Sequence, residues 1–232
     1  FEMETHAVKV IARIRSDFPE KFGIPRQSGL VPELRAKVVF EPEFCSADAL
    51  RGIEGFSHLW LIWQFSAAVR DTWSPTVRPP RLGGNERVGV FATRSPFRPN
   101  AIGLSCVKLE GVRHEDGLGD VLIVSGADLM DGTPIYDVKP YLPYADAHPE
   151  ALGGFAPSPK ETIAVDCPPE LLAKLPEGRR EALLGVLAQD PRPQYQHDPE
   201  RVYGMSFGGW DVKFRVRGET LEVLSLAENK QE

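Results

Sequence analysis

The sequence predicts a mainly β protein: an N-terminal β-barrel or sandwich followed by a small α+β C-terminal domain. Three observations carry this expectation. Six or seven strand-like segments fall in the first 140 residues without helical patterns of 10–15 residues between them, which argues against an alternating strand–helix sheet. Glycine and proline, 21 of each, punctuate the whole chain and mark many short elements joined by turns. One clear helical spacing occurs, and it lies late, at 177–189.

Residues 7–14 are rich in β-branched side chains and read as a strand. Residues 15–30 hold Pro19, Gly23, Pro25 and Gly29 and read as a long loop. Residues 34–40 give a second strand, and 45–51 a short helix with Ser46 placed to cap it. The run FSHLWLIWQF at 56–65 is almost continuously apolar, as in a strand buried on both faces or lying at a subunit interface. Residues 87–93, 101–112, 120–129 and 135–140 complete the strands of the first unit. Four prolines and a Gly-Gly pair in 141–159 place a boundary between a first domain at 3–145 and a second at 160–230. In the second, Leu183, Leu184 and Leu187 repeat at helical spacing, with Gly185 a weak point. Two strands at 210–216 and 220–226 flank Gly218-Glu219 and read as a hairpin.

Composition narrows the class. With 232 residues and 42% hydrophobic content, the chain can bury one good core and a smaller second one. No apolar run nears the roughly 18 residues of a membrane helix, and the opening FEMETHAVKV lacks the layout of a signal peptide. Cys45, Cys106 and Cys167 form no CxxC pair, so neither zinc nor disulfides are expected, and reduced thiols fit a cytoplasmic protein. The formal net charge of −6 argues mildly against nucleic acid as a partner. Charge is uneven, however: arginines 70, 78, 81, 87, 94 and 98 face only Asp71 and Glu86 in that stretch.

The sharpest segment is GVFATRSPFRPNAIG, 89–103. A strand runs into a turn stiffened by Pro96 and Pro99 and leaves as another strand, with Arg94, Arg98 and Asn100 on the bend. A rigid arginine-bearing turn suits a carboxylate or phosphate; a surface hairpin with solvated arginines explains the same residues equally well.

This segment closely resembles the signature of the TrmO family (also TsaA or YaeB). Gly89, Phe91, Arg94, Ser95, Arg98, Pro99, Asn100, Ile102 and Gly103 fall in register with it. The loop Pro25-Arg26-Gln27-Ser28-Gly29, the strand start Phe56-Ser57-His58-Leu59-Trp60 and DLMDGTP at 128–134 with IYDVKPY at 135–141 match other family segments. So do Gln189-Asp190-Pro191-Arg192-Pro193 with Tyr195, and Tyr203-Gly204-Met205. The resemblance spans nearly the whole chain and departs clearly at Ala101, where many relatives carry a second proline.

The resemblance implies a β-barrel that binds S-adenosylmethionine near a homodimer interface. It implies methyl transfer to N6 of N6-threonylcarbamoyladenosine at position 37 of tRNA, with the C-terminal domain engaging the tRNA. The expected cofactor-binding residues are Pro25, Arg26, Gln27, His58, Leu59, Arg94, Leu104 and the turn Asp128, Leu129, Met130, Asp131, Gly132 and Thr133. Arg26 or Arg94 would take the cofactor carboxylate as a bidentate pair. Direct displacement at carbon needs alignment more than activation, worth up to roughly 7–11 kcal/mol, plus an acceptor for the N6 proton. Asp131 and Asp137 are the expected acceptors; each would serve equally to cap a turn, and Asp137 to pair with Lys139. For tRNA, the candidates are Arg98, Asn100, Lys139, Arg192 and Tyr195. Three other readings stay open: a methyltransferase for a different substrate, a non-catalytic RNA-binding barrel, and a hydrolase using His58 with an aspartate.

Overall fold

A computed structural model describes residues 2–230. The first unit contains β1 (Ala12–Arg15), β2 (Arg35–Phe40), β3 (His58–Gln64), β4 (Thr76–Val77), β5 (Val88–Gly89), β6 (Ile102–Glu115), β7 (Gly119–Ser125) and β8 (Pro134–Pro140). Six of these close into a barrel in the order β1-β2-β7-β6-β3-β8, every pairing antiparallel. Closure leaves that sheet no free edge. The expected barrel is therefore present. Inward-pointing Ile14, Val38, Leu59, Leu61, Val107, Leu122, Val124 and Ile135 fill it.

The apolar run of β3 is not buried on both faces. Leu59, Leu61 and Trp63 point inward, while His58, Trp60, Ile62 and Gln64 are half-buried on the outer wall. The run reads as continuous because its outer face is partly covered. Trp60 lies against Tyr141 at 5.9 Å and donates its indole N–H to Asp146 Oδ2 at 2.9 Å, in the short helix α1 (Pro143–Asp146).

The second unit holds β9 (Ala164–Asp166), α2 (Pro169–Leu172), α3 (Glu177–Ala188), β10 (Tyr203–Phe207), β11 (Trp210–Arg217) and β12 (Thr220–Glu228). Its sheet runs β10-β11-β12-β9, with β9 parallel to β12. Helix α3 buries Ala182, Leu183, Val186 and Leu187, and this face packs with Phe207, Phe214 and Leu226 of the sheet.

The segment between β1 and β2 is no simple loop. Its Phe18, Val31 and Leu34 are buried in the core of the second unit. Phe18 meets Phe207 edge-on at 5.6 Å, and the Asp17 carboxylate receives the Arg179 fork at 3.0–3.1 Å. On the barrel side, Gly29 N–H donates to Gly126 O at 2.8 Å and Asp131 N–H to Phe18 O at 2.7 Å. The expected second core is thus built jointly by both units, and with 17 buried residues against 14 in the barrel it is not the smaller one.

Local expectations change elsewhere. Strand β1 begins at Ala12, not at residue 7, because pairing with β2 and β8 starts there. The helix expected at 45–51 is a single 3-10 turn, Asp48–Leu50, without a side-chain cap from Ser46. The expected strand 87–93 is only β5, which pairs with β4 in a two-residue ribbon and then enters a 3-10 turn at Val90–Ala92. The strand at 120–129 stops at Ser125, where Gly126 takes a positive φ. The short β9, β10, α1 and α2 had no sequence expectation; each has four residues or fewer except β10, which Gly204 disguises.

Candidate active site

The site grows from the segment that joins the two units. Ser28 Oγ accepts the backbone N–H of Cys106 at 3.1 Å, which fixes residues 25–28 against β6, two residues beyond Leu104. Gln27 Oε1 then accepts Arg94 Nη1 at 2.7 Å, tying that segment to the bend after β5. Arg94 is bonded to a neutral amide and not to a carboxylate. Its charge is therefore available to an anion.

Behind them lies a buried polar chain. Trp63 Nε1 donates to Ser105 Oγ at 3.0 Å, and Ser105 Oγ donates to Asp128 Oδ1 at 2.5 Å. The indole has no acceptor capacity, so it fixes the direction of the serine proton toward the carboxylate. Burial pushes the Asp128 carboxyl above its ordinary value; the Ser105 bond, a backbone bond and Arg94 pull it back in part.

Gln27, Ser28 and Arg94 line a cleft of about 2000 Å³ between the barrel and the C-terminal unit, while Trp63, Ser105 and the turn at 128–133 lie outside its walls. Its walls come from 21–30, 70–97, 153–161 and 186–197. Drug-sized pockets span about 300–1,000 Å³, so this cleft has room for far more than one nucleoside. Nine arginines and lysines line it, against Glu161 and Asp190. Crowding is evident at Lys160, whose ammonium is held below its ordinary value by burial first and by Arg26 and Arg81 next.

The expected residues divide into groups. Pro25, Arg26, Gln27, Arg94 and Arg192 line the cleft, so the arginine-bearing bend does face a cavity. That bend joins the β4–β5 ribbon to barrel strand β6, not two barrel strands. Leu104 stands on the outer wall beside the cleft, in a row with Ile62 and Asp137 across β6, β3 and β8; about 10 Å separates the row's ends at ordinary strand spacing. His58 lies four residues along β3 from Ile62, its Nδ1 2.8 Å from Ser57 Oγ. Leu59 and Leu129 are buried in the barrel core, so only their backbones can face a ligand. Asp131 Oδ1 accepts the Ser16 N–H at 3.0 Å, and Thr133 Oγ1 donates to Met130 O at 2.6 Å; Gly132 supplies the positive φ of that turn. Asp137 accepts the N–H of Val138 at 2.9 Å and stands 3.4 Å from Lys139.

Among the expected tRNA contacts, Arg98 bonds Thr93 O and Ser95 O at 2.8 and 3.3 Å and so braces its own turn. Arg192 spends its fork on Asp190. Asn100 and Tyr195 are exposed. Ser28, Trp63, Ser105, Arg81 and Lys160 were missed. Ser105 was findable, since it is polar at an inward position between Gly103 and Val107 of a strand. The three cysteines are half-buried and free, and burial pushes the Cys106 and Cys167 thiols up, away from nucleophilic character.

A closed six-stranded barrel beside a cleft lined by nine basic residues defines a protein built to take a large anionic ligand. The tRNA-methyltransferase O N-terminal domain family matches residues 13–147, and the TrmO C-terminal domain family matches 160–229. The chain belongs to the TrmO family. It is 44% identical to the tRNA (adenine(37)-N6)-methyltransferase of Escherichia coli K12, covering 97% of this chain and 99% of that protein. It is 46% identical to a putative S-adenosylmethionine-dependent methyltransferase, RcsF, of Pseudomonas aeruginosa, over 96% of this chain and 98% of that one. The crystal structure of TrmO from Pseudomonas aeruginosa superposes with a TM-score of 0.80 at 38% identity, over 97% of this chain and 100% of that chain.

Proposed function

We propose that this protein transfers a methyl group from S-adenosylmethionine to N6 of adenine 37 in tRNA, on a base carrying the threonylcarbamoyl group, and that it works as a homodimer in the cytoplasm. Two relatives are named tRNA (adenine(37)-N6)-methyltransferase, which supports the methyl transfer to adenine 37. The observation that carries the reading is the cationic cleft with Arg94 and Gln27 joined across it.

The residues fit the cofactor. Arg94 and Arg26 on the cleft wall offer guanidinium forks to its carboxylate, the buried Asp128 behind that wall offers an acceptor, and the Leu129 and Met130 N–H groups, which the turn's own hydrogen bonds leave unused, offer donors for a purine edge. Bound there, S-adenosylmethionine supplies a methyl group already activated on a sulfonium. Residues 25–27 and 94 would hold the cofactor in place on the cleft wall, and positioning of this kind is where acceleration of a displacement at carbon arises. Asp137 takes the N6 proton; it is half-exposed in the row with Leu104, whereas Asp131 is engaged by Ser16. His58 and Leu104 face outward from β3 and β6. A second copy laid on that wall, where Ile102 and Leu104 are 46% and 44% exposed, brings them into the site. Arg192, Asn100, Lys139 and Tyr195 then meet the RNA from the rim, with Arg98 bracing the bend.

Labelled-methyl transfer tests the reading, using tRNA with and without the threonylcarbamoyl group. Methyl incorporation only into the modified tRNA is expected. Binding of tRNA with no transfer under any condition would leave an RNA-binding barrel instead.

A further inference from the structure

The β4–β5 ribbon has no core of its own, yet it holds two large aromatic side chains in the open. Trp73 precedes β4 and Phe91 follows β5. The ribbon register sets Thr76 opposite Gly89, and Val90 N–H donates to Pro75 O at 2.9 Å, so the two aromatics face each other across the ribbon's end. Their rings are near-parallel, 23° apart, with centroids 6.1 Å apart. Trp73 is 51% exposed and Phe91 73%. Folding rewards burial of such rings, so their exposure calls for a partner.

Charge indicates which partner. Phe91 lines the cationic cleft together with Arg70, Arg87 and Arg94. Arg70 itself lies on the face of Phe97 at 3.9 Å, and Arg87 bonds Thr76 within the ribbon at 3.0 Å. Planar aromatic faces beside a row of arginines are what unpaired bases require: stacking for the base and a counter-charge for the phosphate.

We propose that Trp73 and Phe91 form a stacking platform for unpaired nucleobases of the tRNA anticodon loop, which they hold splayed while adenine 37 is methylated. The proposal rests on the tRNA reading above. It adds a subsite selective for single-stranded RNA, indifferent to base identity, and separate from the cofactor cradle at 25–28, 94 and 128.

The test uses full-length protein with Trp73→Ala, Phe91→Ala and Trp73→Phe. Each is assayed for threonylcarbamoylated tRNA affinity, S-adenosylmethionine affinity by calorimetry, and mass in solution. Both alanine variants are expected to weaken tRNA binding by about 10-fold or more, with unchanged cofactor affinity and mass. Trp73→Phe should recover most of the loss, because a ring remains. Tryptophan fluorescence quenching on tRNA addition should shrink in Trp73→Phe. Unaltered tRNA affinity in both alanine variants would overturn the platform. So would weakened tRNA binding that accompanies a fall in mass, since the rings would then cover a second copy. Absence of tRNA methylation by the unaltered protein would instead sink the function, whatever these variants do.

Discussion

Single side chains decide the chemistry of the cleft. Asp128 is a carboxylate kept at the barrel mouth by one serine proton, with its proton affinity raised chiefly by burial. In the folded protein it therefore holds a proton to higher pH than in the unfolded chain. Folding takes up that proton between the ordinary aspartate value and the raised one, so stability falls as pH climbs through this window. Asp128→Asn should flatten that slope in urea titrations run across mildly acidic pH; an identical slope would show that Asp128 titrates normally. Asp146 is shifted the other way by the Leu142 N–H and the Trp60 indole, so its contribution is present above the ordinary value and fades as pH falls. Arg94→Ala should weaken S-adenosylmethionine binding by about 2–5 kcal/mol, the range for losing a desolvated charge pair; calorimetry showing no change would move the carboxylate site elsewhere. Residue roles were only partly legible in the sequence. Arg94 and residues 25–27 declared themselves through motif. Arg192 did not reveal its pairing with Asp190, because that contact depends on a left-handed backbone at Asp190, φ 51°.

At the level of elements, helix α3 tests how tightly the units are fitted. A Cβ on Gly185 would come 2.7 Å from Val31 Cγ1. The helix gains up to about 1 kcal/mol from Gly→Ala, while overpacking costs about 1–3 kcal/mol. Gly185→Ala is therefore expected to lower stability by about 1 kcal/mol. Gly178, with open space around it, should gain from the same change, and the two melting curves should move in opposite directions. Barrel strands were readable as apolar, β-branched runs bounded by turn residues, although the in–out alternation along β3 and the first half of β6 was masked in β3 by its partly covered outer face. The ends of β1 and β5 were not, since pairing partners rather than propensity terminate them. The intrinsic β content of residues 7–11 is used only at Ile11, whose N–H donates to Ile135 O and whose carbonyl accepts from the Glu41 N–H, both at 2.9 Å.

Across the whole molecule, a net charge of −6 coexists with a cleft lined by nine basic residues. Binding of tRNA should accordingly weaken steeply with salt, at a slope near −0.9 per phosphate neutralised on duplex and about −0.7 on single strands. Arg81→Ala should lower that slope by about one phosphate contact, whereas loss of the Trp73 ring should leave it unchanged. Mainly β architecture and a late α+β unit were visible in the distribution of glycine, proline and strand-like runs. The union of the two units was not, because it depends on Phe18, Val31 and Leu34, apolar residues scattered through a proline-rich stretch with no period to betray them.

That union carries a consequence for how the enzyme tolerates damage. Residues 25–27 are suspended between two anchors, Phe18 and Val31, sunk in the interior of the neighbouring unit. A lesion on the far side of α3, remote from the cleft, would slacken the suspension and, on the proposed placement of the methyl donor, weaken its binding. Catalytic decline should then precede unfolding as the protein is warmed, with the C-terminal unit acting as tensioner.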